Sequence, residues 1–115
     1  MQYILFLCSN DESWADYPGG APAVIRAHNA VMDGLKKNNQ YQSSNALHLP
    51  ETAATVRMRA GKTMVTDGPF AETKEQIRGY YIVEAKDLDE AIAIAARIPD
   101  AHAGSVEIRP IRIFD

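Results

Sequence analysis

The sequence has a single cysteine, Cys8. One thiol forms no internal disulfide, so the fold rests on its apolar core, and a reducing cytoplasm is the expected setting. No apolar run approaches the roughly 20 residues of a membrane span. The stretch nearest to one, "YILFLC", has no basic start and no small-residue cleavage site, so it reads as a strand and not as a leader. Basic residues are neither numerous nor clustered: 12 Lys and Arg stand against 15 Asp and Glu, for a net charge of −3. A nucleic-acid surface would need clustered Lys and Arg. His28, His48 and His102 are scattered, and Cys-x-x-Cys and His-x-x-x-His spacings are missing, so no metal is expected. Gly19-Gly20 lacks the context of a phosphate loop. No cofactor is expected.

What is present fits one soluble domain over residues 1–115, with 46% apolar and 23% charged residues. "QYILFLC", residues 2–8, reads as a strand buried on both faces. A loop with Pro18-Gly19-Gly20 follows. Pro22 then suits the start of a helix. Val24, Ala27, Val31 and Leu35 fall on one face of that helix, and Arg26, Asn29, Asp33 and Lys37 on the other. "SSNALHLPE" is a second strand closed by Pro50. "ATVRMRA" and "TMVT" form a hairpin about a turn at Gly61-Lys62. "RGYYIVEA" is strongly β-prone. A second helix is capped by Asp87, with Glu90 completing a capping box. Its apolar face is Leu88, Ala91, Ile92, Ala95 and Ile98, and Pro99 stops it. "SVEIRPIRIF" is the last strand, and Pro110 places it at an edge or a bulge.

The order β-α-β-(hairpin)-β-α-β predicts an α+β, ferredoxin-like split β-α-β domain. Both helices would cover one sheet face. The other face stays apolar, and so large a bare patch implies a partner. A homodimer packed sheet to sheet is expected.

"VTDGPFAETKEQIRGYYIVEAKDLDEAIAIAARIP" followed by "GSVEIRPI" closely resembles the YCII-related family, within it the subgroup with the Asp-Gly-Pro-Phe motif. "RMRAGKTMVTDGPFAETKEQ" is the most specific part. The resemblance implies a dimeric α+β barrel of ferredoxin-like protomers. It also implies a small cofactor-independent enzyme acting on ring compounds, of the lyase or isomerase type. His28, in "VIRAHNAVMDGL", matches the helix-one histidine that such proteins use for acid–base work. Arg78, in place of the motif's usual Gly, His102 and the loop 11–20 depart from the pattern.

The residues themselves leave alternatives. His28 sits within the apolar face of its helix, either as a packed histidine bonded to backbone or as a general base tuned by burial. Asp67 either holds the Asp-Gly-Pro turn through its backbone or orients His28 across a pocket. The segment Asp67–Glu75 is longer than a plain hairpin loop, and such loops tend to be functional. It is therefore expected to fold over helix one, with Glu72, Thr73 and Lys74 as substrate contacts. Tyr80 and Tyr81 point to opposite sides of their strand, and both are candidate substrate ligands. Two functions follow: a cofactor-free acid–base enzyme on a small metabolite, or a non-catalytic ligand-binding dimer.

Overall fold

The computed structural model describes residues 1–114. Four strands form one antiparallel sheet in the order β2-β5-β1-β6, from β1 (Gln2–Ser9), β2 (Tyr41–Ala46), β5 (Gln76–Glu84) and β6 (Ser105–Pro110). Helices α1 (Gly20–Lys37), α2 (Leu88–Ala96) and the short α3 (Asp100–Ala103) complete the ferredoxin-like order expected from the sequence. Pro110 ends β6, which is an edge strand, where its missing N–H costs no ladder bond. No helix among the described residues is long and apolar enough to cross a membrane.

The core shows the two periods of its elements. In β1, Tyr3, Leu5, Leu7 and Ser9 are buried, while Ile4, Phe6 and Cys8 between them are half-buried. The chain thus covers one face of β1 well and the other partly, not both fully. Val31 and Leu35 of α1, and Ala91, Ile94, Ala95 and Ile98 on and after α2, meet the covered face. The α2 stripe is rotated from the expected one: Ile94 is buried, whereas Leu88 and Ile92 are half in water. The 91-94-95-98 spacing is itself a helical face, and it centres on small alanines that allow close approach to the sheet.

Local differences have local causes. Helix α1 begins at Gly20, because Gly19 and Gly20 both adopt positive φ and turn the chain into it. Pro22 sits in the first turn, where an N–H is not needed. Strand β2 ends at Ala46, and Pro50–Thr52 form a 3-10 turn. Asp87 caps α2 by accepting from Glu90 N at 2.9 Å. Glu90 reaches back to Lys86 N rather than to the Asp87 N–H of a regular capping box. Beyond Pro99 the chain does not leave helix for good, since Asp100 starts α3.

Among the described residues, strands β3 (Ala54–Arg59) and β4 (Lys62–Asp67) pair only with each other. Their register opposes Arg59 to Lys62, so the turn is Ala60-Gly61, one residue earlier than expected. Both turn residues have positive φ, the geometry that matches strand twist. This ribbon widens the molecule: the radius of gyration is 16.0 Å, against about 13 Å for a compact chain of this length.

Candidate functional site

Helix α1, strand β5 and the start of α3 converge on His28. Its Nδ1 lies 2.7 Å from the Tyr81 hydroxyl. Its Nε2 lies 3.2 Å from Asp100 Oδ1. The contact lacks the geometry of a hydrogen bond, so Asp100 Oδ1 faces the ring nitrogen without accepting from it. Asp100 is only 4% exposed, sealed behind the imidazole. A buried carboxylate this poorly bonded is costly unless a positive charge develops beside it.

Burial first, then the Asp100 carboxylate and Tyr41, push the Tyr81 phenol well above the ordinary tyrosine range, so it keeps its proton. In the tautomer that lets this phenol donate to Nδ1, the imidazole proton sits on Nε2, facing Asp100. The two rings lie nearly parallel, 16° apart, with centroids 5.9 Å apart.

These three side chains line a cavity of about 510 Å³, within the usual range for small-molecule sites. Leu7, Val24, Ile25 and Met32 give it apolar walls, and Asn45 and Arg78 add polar ones. Gly79 lets β5 pass close to β2 at the cavity wall. A Cβ there would sit 2.8 Å from the Asn45 carbonyl oxygen, so no side chain fits. Tyr80 also lines the cavity, and its hydroxyl accepts from Asn45 Nδ2 at 2.8 Å.

The segment Asp67–Glu75 does not join this cluster. Asp67, Glu72 and Thr73 line a separate depression with Pro50, Glu51 and Gln76, and the two cavities share no residue. The expected Asp67–His28 pair is thus not formed, and Asp100 stands in its place. Asp67 closes β4, so it belongs to the ribbon and not to the sheet that carries Tyr81. Among the described residues its carboxylate makes no hydrogen bond, to His28 or to the turn. The loop is held from within: Gln76 Nε2 donates to Ala71 O, Thr73 O and Thr73 Oγ1, and Thr73 Oγ1 donates to Glu75 O. Lys74 contributes its carbonyl, which accepts from Asn10 Nδ2.

Asp100 is not among the site residues expected from the sequence; it lies in "IPDAHAGSVE", two residues before His102. His102 Nε2 lies 3.2 Å from Ala96 O, and the residue is exposed. An Asp directly after a helix-stopping Pro was the available signal. Burial first, then Glu107, Glu75 and Asp100, raise the Cys8 thiol above its ordinary range, which disfavours the thiolate. Among the described residues, no group of three or more His, Cys, Asp or Glu side chains is arranged to hold a metal ion.

The YCII-related domain model matches residues 1–115. The chain belongs to the YCII-related family. It is 38% identical over 114 residues to an uncharacterised protein of Rhizobium meliloti (strain 1021), covering 94% of this chain and 90% of that one. Its fold is similar to that of a 5-chloro-2-hydroxyhydroquinone dehydrochlorinase from Burkholderia phenoliruptrix AC1100, solved with 2,5-dihydroxybenzoquinone. The TM-score is 0.56 at 16% identity, over 97% of this chain and 94% of the other. At that identity the likeness is one of fold.

Proposed function

We propose that this YCII-related chain is a cofactor-independent acid–base enzyme acting on a small ring-containing metabolite, with His28 as the central proton carrier. The observation that carries the reading is His28 held between a protonated phenol and a buried carboxylate at a cavity wall. A proton taken from a bound molecule passes to the Tyr81 oxygen as Tyr81 gives its own to Nδ1. The resulting imidazolium meets Asp100 through Nε2–H, which supplies the charge that the buried carboxylate lacks. The reverse transfer delivers a proton to the reacting molecule. Tyr80 and Asn45 hold polar atoms of the ligand. The ring compound bound by the fold neighbour supports the size and kind of substrate.

The competing reading is a non-catalytic ligand-binding protein. One observation favours it: one ring nitrogen of His28 is already bonded to Tyr81 and the other faces Asp100. Deuterium exchange separates the two. Ring acids, phenols and lactones that raise the melting temperature are incubated in D2O and followed by NMR. The enzyme exchanges an acidic C–H of its ligand, and His28→Asn binds the same compound without exchange. Binding by the wild type with no exchange decides for the non-catalytic reading.

The working unit is proposed to be a cytoplasmic homodimer, joined through the sheet face opposite the helices. Ile4, Phe6 and Cys8 are only half covered there, and Ile77 is exposed. An obligate interface would bury on the order of 2,000 Å² or more. Light scattering that finds a stable monomer at micromolar concentration refutes it.

A further inference from the structure

The cavity beside His28 has one feature that acid–base chemistry does not use. Resting on the reading above, we propose that Arg78 is an anion anchor, and that the molecule bound there is a ring-containing acid whose carboxylate Arg78 holds.

Among the described residues, the fixed charges of the cavity wall are two, Arg78 and Asp100. Asp100 faces His28 Nε2. Arg78 is therefore the cation left to meet a ligand. The pairing of β1 with β5 slips between Leu7 and Cys8, so that Leu7 opposes Gly79 and Cys8 opposes Ile77. Arg78 is the extra residue of this bulge, and bulges re-aim side chains next to active sites.

The guanidinium is underused. Nη2 donates to Asp11 Oδ1 at 3.0 Å, while Nε is buried and makes no hydrogen bond among the described residues. Nη1 also makes no hydrogen bond among the described residues, and a guanidinium is satisfied best by a bidentate carboxylate. Asp11 is a weak competitor. Its side chain is 82% exposed, and ion pairs with so exposed a member contribute little. A carboxylate inside a partly dry, apolar-walled cavity feels the same cation through less solvent. The walls fit a ring, and Arg78 selects one bearing a negative charge.

Benzoate and its neutral isostere benzamide test this by NMR titration at neutral pH. The wild type binds benzoate about tenfold or more tightly than benzamide. Arg78→Gln removes the preference by weakening benzoate alone, and Arg78→Lys restores part of it. Asp11→Asn strengthens benzoate binding, because the competing carboxylate is gone. This second variant leaves Arg78 in place, so the test stands even if Arg78→Gln folds poorly. Equal affinities in the wild type, or an Asp11→Asn protein with no gain for benzoate, make Arg78 a clasp for the first loop only. The ring-binding cavity survives that result. If neither probe shifts resonances of cavity residues at millimolar concentration, the ring-binding reading and the anion anchor fall together.

Discussion

Around His28, polar side chains are set into an apolar helix and sheet, and they find one another. Along the β3–β4 ribbon, apolar side chains are set in water and find no cover in their own chain. His28, Tyr81 and Asp100 come from α1, β5 and α3, and each gains its partner from tertiary structure. Val56 and Val65 oppose each other across the ribbon, with Met58 on the same face, and all three are more than half exposed. The other face carries Arg57, Arg59 and Lys62. An isolated two-stranded ribbon is marginal in water. The comparison teaches that one alternation pattern describes both a core strand and a ribbon, and that the pattern does not tell which cover it receives.

The largest effect comes from cutting apolar volume out of the covered region. Leu35 is fully buried between α1 and the sheet. Leu35→Ala should cost about 2–5 kcal/mol in chemical denaturation, the range for emptied core sites. A loss below about 1 kcal/mol would mean that the core is not centred where α1 meets the sheet.

Tyr81→Phe comes next. It removes the bond to Nδ1, and should cost about 1–2 kcal/mol near neutral pH. It should also change the alkaline limb. Tyr81 titrates higher in the folded state than its ordinary value of about 10. As pH rises past 10 the unfolded chain loses the Tyr81 proton first, so the native state binds more protons and stability falls with pH. The contribution is intact below pH 10 and declines above it. The difference between wild type and Tyr81→Phe should therefore shrink from pH 9 to pH 11. A constant difference would show that the phenol is not held protonated.

Much of the frame was legible. The 3.6 and 2 periods, the Asp87 cap and Pro110 at an edge specify elements through neighbours in sequence. What the pattern lacked was long-range. Asp67 and Asp100 are both carboxylates beside turn-forming prolines, and nothing local separates them. Only the packing of α3 against β1 and β6 brings Asp100 to His28. The Gly-Pro turn and the dense polar run set Asp67–Glu75 apart in the sequence, yet those groups bond chiefly to their own loop. The rotation of α2 by one face, to Ile94, was likewise set by contact with the sheet and not by its own periodicity.

A smaller effect tests the part read most directly. Asp87 accepts from Glu90 N at 2.9 Å, and Asp87→Ala should cost about 1 kcal/mol. Unchanged denaturation would mean that Glu90, through Lys86 N, holds the helix start without it.

The smallest effect falls on the ribbon, and its dependence on concentration carries the information. Val65 is 63% exposed. Val65→Thr keeps the β-branched shape that suits a strand and replaces one methyl with a hydroxyl. In a single chain the ribbon face meets only water, so the cost should lie within about 0.5 kcal/mol. If a second copy of the chain covers this face, only the associated state feels the hydroxyl, and mass action ties the apparent loss to protein concentration. Denaturation at two concentrations a hundredfold apart reads this directly. A loss that grows with concentration assigns the ribbon to an interface between copies. A concentration-independent loss above about 1 kcal/mol would show that the ribbon packs on its own domain, and the contrast with the His28 cluster would disappear.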